Sequence, residues 1–141
     1  MIRVGICSGY FNPLHVGHLE YLRESRSKCD LLYVIINNDE QVRLKQSVPF
    51  MNEDNRAAIV KSLRGVSDVV ISIDDDLSVA RTLEYIRSKF SHAVFFNSGD
   101  RSIPHPQEDD VCKRLNIEQV FLGQPKIESS SRLLENLGKT D

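Results

Sequence analysis

The sequence predicts an α/β fold, a doubly wound sheet of about five parallel strands forming a single domain over residues 1–141. Three observations carry that prediction. Apolar runs of strand length recur along the chain, at residues 2–7, 31–36, 69–73 and 93–96, with a less uniformly apolar fifth at 117–122. They are continuous rather than alternating, which suits strands buried on both faces of a parallel sheet. Helix-length segments lie between them, and strands alternating with helices build βαβ units with right-handed crossovers. A length of 141 residues is one domain by ordinary size.

Each connecting segment has its own reason to be helical. Residues 17–28 place Leu19 and Leu22 on one side and Glu20, Arg23, Glu24 and Lys28 toward solvent. Residues 53–63 follow Asn52, an N-cap residue, and turn Ala57, Ile59, Val60 and Leu63 toward the sheet. Residues 77–90 and 107–115 continue the alternation, and residues 129–137 form a last helix with a serine-rich start. In such sheets ligands bind beyond the carboxyl ends of the strands, where strand order reverses. The stretches to inspect are therefore 8–18, 37–39, 74–76, 97–101 and 123–131.

Composition excludes several classes. With 40% hydrophobic and 27% charged residues the chain is ordinary globular protein, and a net charge of −2 provides no basic field for nucleic acid. Cys7, Cys29 and Cys112 are too scattered for a disulfide framework and form no Cys-x-x-Cys pair, so free thiols in a reducing, cytoplasmic setting are expected. The longest apolar run, 31–36, is far short of a membrane span. There is no Gly-x-Gly-x-x-Gly after the first strand, no Gly-Lys-Ser/Thr and no Gly-x-Ser-x-Gly. A dinucleotide-dependent oxidoreductase, a P-loop enzyme and an α/β hydrolase are thereby disfavoured.

The first loop carries the chemistry. Gly9 permits a tight turn, Pro13 stops an early helix, and His15-Val16-Gly17-His18 follows. Two histidines three apart share one face of a helix's first turn, where open N–H groups and the positive dipole end suit phosphate. Aimed there, they can stabilise charge growing on a phosphoryl oxygen, and Gly17 lets a nucleotide approach the backbone. The alternative is two ordinary polar residues on a helix. A zinc site lacks a nearby third ligand, because His92 and His105 are far along the chain. Lys45 lies between a short helix and a Pro49 turn, from which an ammonium reaches a phosphate or simply stays in solvent. Arg56 begins a helix, where the dipole disfavours a cation, so a nearby anion is expected. Asp74-Asp75-Asp76 reads as a loop with a helix cap, and Glu108-Asp109-Asp110 as an acidic first turn with no further role.

Gly9-Tyr10-Phe11-Asn12 followed by His15-Val16-Gly17-His18 resembles the signature of the cytidylyltransferase-like nucleotidyltransferases, a group with glycerol-3-phosphate cytidylyltransferases and heptose-phosphate adenylyltransferases among its members. The likeness runs through Gln41-Val42-Arg43-Leu44-Lys45, Asn52, Arg56 and Val66-Ser67-Asp68-Val69-Val70 to Ser98-Gly99-Asp100-Arg101 and Ile127-Glu128-Ser129-Ser130-Ser131-Arg132. It implies a Rossmann-like sheet. It also implies catalytic roles for His15, His18 and Lys45, and an acceptor site including Lys45, Arg56 and Arg101. Nucleotide binding is implied at Gly9, Tyr10, Phe11, Asn12, Gly17, Gly99, Asp100, Lys126, Ser129, Ser130 and Ser131, with Asp100 near the ribose and the serines on the triphosphate. Two departures stand out. Gly123-Gln124-Pro125-Lys126 replaces an arginine-bearing stretch, and a lysine is no bidentate substitute. Val16 replaces an aromatic, in a chain without tryptophan.

The implied reaction joins a small phosphorylated acceptor to a nucleoside triphosphate, CTP first and ATP close behind, releasing pyrophosphate. An acceptor phosphate is already anionic near neutral pH, so positioning and charge stabilisation suffice. Mg²⁺ would ride on the triphosphate, since no dedicated carboxylate cage is visible. Neither nucleic acid nor membrane is an expected partner, and a homodimer is what small members of the group imply. The rival from another class is a nucleotide-binding regulatory protein that has lost turnover.

Overall fold

The computed structural model describes residues 1–98 and 104–122. The chain runs β1 (Val4–Gly9), α1 (Val16–Arg26), β2 (Leu31–Ile36), α2 (Asp39–Leu44), α3 (Glu53–Lys61), β3 (Asp68–Ile71), α4 (Ala80–Arg87), β4 (Ala93–Asn97), α5 (Pro106–Arg114) and β5 (Glu118–Phe121). All strand pairs are parallel and the order is β3-β2-β1-β4-β5. The α/β, Rossmann-like expectation is met.

The order follows from two halves wound outward from β1. One half adds β2 and β3, the other β4 and β5, so strand order reverses between β1 and β4. Val4, Ile6, Cys7, Val34, Ile35, Ile36, Val94, Phe95 and Phe96 are almost wholly removed from solvent, which explains why these strands read as continuous apolar runs. Two apolar clusters sandwich the sheet. One contains Phe11, Leu22, Val60 and Phe96, and the other Val79, Leu83, Ile86 and Phe95. At the sheet's centre, Gly5 is required by packing, since a Cβ there would lie 2.6 Å from Cys29 Sγ and 2.7 Å from the Phe96 ring.

Several boundaries differ from the sequence reading. Strand β1 extends through Ser8 and Gly9, because Gly9 pairs with Ile36 and its carbonyl accepts the Asn37 N–H (2.9 Å). Helix α4 begins at Ala80 rather than 77. Ser78 is held instead by Asp76, which accepts from its N–H (2.9 Å) and hydroxyl (2.7 Å). On α3, Ile59 is 39% exposed and its expected inward place goes to Arg56, 1% exposed. Among the described residues no helix is long and apolar enough to cross a membrane. The expected helix at 129–137 lies outside the described residues.

Candidate active site at the carboxyl edge of the sheet

The reversal of strand order puts the ends of β1, β2 and β4 side by side. Ser8, Gly9, Tyr10, Asn37 and Ser98, all at or just past these ends, line a cavity of about 380 Å³, closed by Lys45, Leu77, Val79 and Glu108. This is where a doubly wound sheet offers a ligand site.

Beside it, the β1–α1 loop delivers the two histidines in a fixed arrangement. His15 is the N-cap of α1, and its Nδ1 accepts the Gly17 N–H (3.1 Å). His18 sits at the third helical position and its Nδ1 accepts the His15 N–H (3.1 Å), so the pair forms a capping box built from imidazoles. Their rings stack, with centroids 3.7 Å apart and planes 25° from parallel. Phe11 packs against His18, centroids 4.7 Å apart and planes tilted by 58°. Since each Nδ1 accepts a backbone hydrogen bond, a neutral ring must carry its proton on Nε2. Burial also pulls the His15 imidazole below its ordinary pKa, which favours that neutral form.

This arrangement corrects one expectation. Some of the helix-start N–H groups read as open to phosphate are consumed by the histidines themselves. In exchange each neutral ring, accepting at Nδ1, carries an N–H at Nε2. Gly17 is part of this cap, its N–H committed to His15.

The rest of the first loop is structural support. Phe11 is a core residue, 1% exposed, with a positive φ of 50°. Gly9 is needed because a Cβ would lie 2.8 Å from the Phe11 ring, not for a left-handed turn. Asn12 ties down the loop before α3, donating to the Val48 carbonyl (2.9 Å) and accepting the Phe50 N–H (2.6 Å). Tyr10 lies under Lys45, whose Nζ is 4.2 Å from the ring centroid.

Arg56 is placed differently from its expected phosphate-binding role. Its guanidinium donates to the carbonyls of Met51 (3.0 Å), Tyr10 (2.7 Å) and Asn37 (2.7 Å) and pairs with Asp39 Oδ1 (2.6 Å). The anion sought on sequence grounds is therefore Asp39, and Arg56 fastens the β1 and β2 loops that line the cavity. Its five N–H donors in a planar fork suit four acceptors from three segments.

The acidic clusters divide. Asp74 is the cap expected of it, accepting the Arg81 and Thr82 N–H groups (2.8 and 3.0 Å) at the start of α4. Glu108, read as needing no role beyond its helix turn, is 4% exposed, lines the cavity and accepts the Val79 N–H through Oε2 (3.0 Å). Its helix position gave no hint, since cavity access is decided by how α5 docks. Burial, with Glu108 and Asp109 adding repulsion, pushes the Cys112 thiol up to about 12, so this cysteine is inert. Gly99, Asp100, Arg101, Lys126, Ser129, Ser130 and Ser131 lie outside the described residues.

Comparison with known proteins fits this geometry. Residues 6–131 match the family model described as Cytidylyltransferase-like. The chain belongs to the cytidylyltransferase-like family. That membership places it among the nucleotidyltransferases. It is 31% identical over 118 residues to an FAD synthase of Aciduliprofundum boonei, covering 84% of this chain and 74% of that protein. It is 32% identical over 136 residues to the bifunctional protein HldE of Aliarcobacter butzleri, covering 95% of this chain and 27% of that protein. The chain thus spans about a quarter of HldE, and it spans 54% of a second FAD synthase, from Thermoplasma acidophilum. The fold matches that of a lipopolysaccharide core biosynthesis protein from Thermoplasma volcanium with a TM-score of 0.69 at 22% identity, covering 91% of this chain and 99% of that one.

Proposed function

We propose that this cytidylyltransferase-like chain transfers an adenylyl group from ATP to a small phosphorylated acceptor. The acceptor's phosphate oxygen attacks the α-phosphorus, the bond from that phosphorus to the β-bridging oxygen breaks, and pyrophosphate leaves. The observation that carries this is the stacked His15–His18 pair, whose Nδ1 atoms both accept backbone N–H groups, so that each neutral ring carries its own N–H at Nε2, on the loop that leaves β1 beside the sheet's reversal point. Such preorganised donors stabilise charge gathering on phosphate oxygens, and no general base is required of an anionic acceptor. The family resemblance puts CTP first; similarity to two FAD synthases, which make an adenine dinucleotide, moves ATP ahead of it.

In this reading Lys45, reaching over the Tyr10 ring, neutralises the acceptor's phosphate. Gly9 and Tyr10 form the nucleotide's floor, and Phe11, Asn12 and Gly17 hold the loop that carries it. Roles for Gly99, Asp100 and Arg101, and for Lys126 with Ser129, Ser130 and Ser131, rest on the resemblance. Mg²⁺ enters bound to the triphosphate, as part of the substrate. The cytoplasmic setting is supported by Cys7, Cys29 and Cys112, none of which is in a disulfide, and the homodimer by the resemblance.

The test is thermal protection by ATP and CTP, followed by pyrophosphate release with each across a panel of phosphorylated acceptors. ATP is expected to protect more and to support release with at least one acceptor. Stronger protection by CTP would return the donor to CTP. Tight nucleotide binding with no release from any acceptor would make the chain a nucleotide-binding regulator.

A further inference from the structure

Asn37 is the first residue past β2, and its backbone is fully committed. Its N–H donates to the Gly9 carbonyl (2.9 Å), and its carbonyl accepts from the Arg56 guanidinium (2.7 Å). Side chains alternate along a strand, and Ile35, two residues earlier, packs in the apolar cluster with Val79 and Leu83. The Asn37 side chain points to that same face, where Leu77 and Val79 line the cavity with it.

The polarity of that side chain is dictated by backbone groups acting through Gln41. Gln41 is wholly buried on α2. Its Oε1 accepts the Asn38 N–H (3.0 Å), and its Nε2 donates to the carbonyls of Asp76 (2.7 Å) and Ser78 (2.9 Å). A backbone N–H is always a donor and a carbonyl always an acceptor, so these three bonds allow one orientation of the glutamine amide. Asn37 must then turn Nδ2 toward Gln41 Oε1 (3.1 Å) and Oδ1 away from it. That is the one hydrogen bond its side chain makes among the described residues, none of whose buried polar side-chain atoms lacks a partner. Oδ1 is therefore not sealed in the core. It is an open acceptor on the cavity wall, carried by a residue only 4% exposed.

The bond to Gln41 does not explain an asparagine here. Gln41 Oε1 already has the Asn38 N–H, so an apolar residue at 37 would orphan nothing. A carboxamide instead leaves an acceptor oxygen in a nearly dry wall, which is costly until something donates to it. We infer that Asn37 is a specificity-determining residue of the transferase site, its Oδ1 accepting a hydrogen bond from an O–H or N–H of the acceptor while Lys45 holds the acceptor's phosphate. The inference rests on the transferase reading above. An ionised phosphate has only acceptor oxygens and cannot make this bond, so Asn37 also turns the phosphate toward Lys45. A fixed, buried acceptor discriminates against a ligand without the matching donor.

The test uses the full chain with Mg²⁺ and a non-hydrolysable ATP analogue, and measures binding by calorimetry. The probes are glycerol 3-phosphate, ribose 5-phosphate and FMN, with n-propyl phosphate as the reference that has no donor outside its phosphate. At least one of the first three is expected to bind the wild type about 10-fold or more tightly than the reference. Asn37→Leu, close in volume but without the oxygen, is expected to cut that advantage to about 2-fold or less. Its affinities for n-propyl phosphate and for the ATP analogue, and its Tm, should stay near the wild-type values. Asn37→Ser, whose hydroxyl is too short to reach the same point, should lose the same advantage and serves if the leucine variant does not fold. Equal binding of all four probes by the wild type, binding of none, an advantage that survives either substitution, or a parallel loss of n-propyl phosphate and ATP-analogue affinity would each overturn the inference. No catalytic step is measured, so failure here leaves pyrophosphate release, the test of the transferase reading, untouched.

Discussion

Helices α1 and α5 begin alike. Each has a histidine N-cap whose Nδ1 accepts the N–H of the second helical residue, Gly17 for His15 (3.1 Å) and Gln107 for His105 (3.3 Å). They part at the third position. In α1 it is His18, which stacks on the cap and closes the box; in α5 it is Glu108, which turns away to bond Val79 on the start of α4. One start offers N–H donors and the other a carboxylate. A histidine cap is therefore not in itself a mark of chemistry. The third residue decides what each helix start presents, an imidazole in α1 and a carboxylate in α5.

The strongest way to break this contrast is to make α1 resemble α5. His18→Glu places a carboxylate where phosphate oxygens are expected, and steady-state turnover should fall by about 10³-fold or more, with little change in Tm because glutamate at this position still closes a capping box. Next is the fastening shared by both sides of the cavity. Arg56→Met removes a fully buried guanidinium from Asp39 and three carbonyls and should cost about 3 kcal/mol of stability, read by denaturant titration. Wild-type stability in that variant would show that the fastening is dispensable. His15→Asn comes third. Asparagine caps a helix as well as histidine does but has no ring N–H, so turnover should drop about 10²-fold with Tm nearly unchanged. If turnover also stayed put, the ring donor would have no catalytic part.

The smallest effect is one of pH. The folded chain holds His15 below its ordinary pKa of 6.5, through burial, while the unfolded chain titrates near that value. The stability this contributes is complete above about 6.5 and declines as pH falls through the window beneath it, where the unfolded chain binds the proton and the folded chain resists it. Tm should therefore drop more between about pH 7.5 and about pH 5.5 in the wild type than in His15→Asn. Parallel declines in the two proteins would mean that His15 is not the group responsible.

Much of this was legible in the chain. Continuous apolar runs marked the strands because a parallel sheet is covered on both faces, and the first loop stood out because two histidines follow a strand directly. The N-cap at Asn52 and the cap role of the 74–76 cluster were also readable, since capping is local chemistry. Arg56 was not readable. Its spacing put a cation at a helix start, but whether its anion was a phosphate or Asp39 depended on how the α2 and α3 starts pack together. Glu108 was missed for the same reason: an acidic first turn looks identical whether it faces water or a cavity. Phe11 read as part of a binding signature, and proved to be the apolar wedge that packs against His18 and forbids a side chain at Gly9.

By itself, then, the sequence determined the order of elements, the parallel sheet and the histidine pair, all of which are set by periodicity, local capping and chain spacing. Only the tertiary structure decided which polar groups are spent on holding the fold and which remain for a substrate. Hydrogen-bond capacity is a shared resource between segments far apart in sequence. Arg56 gives its donors to loops 19 and 46 residues away, and Glu108 lends one oxygen to a helix start 29 residues back. No local pattern records those exchanges, because they arise when the elements dock.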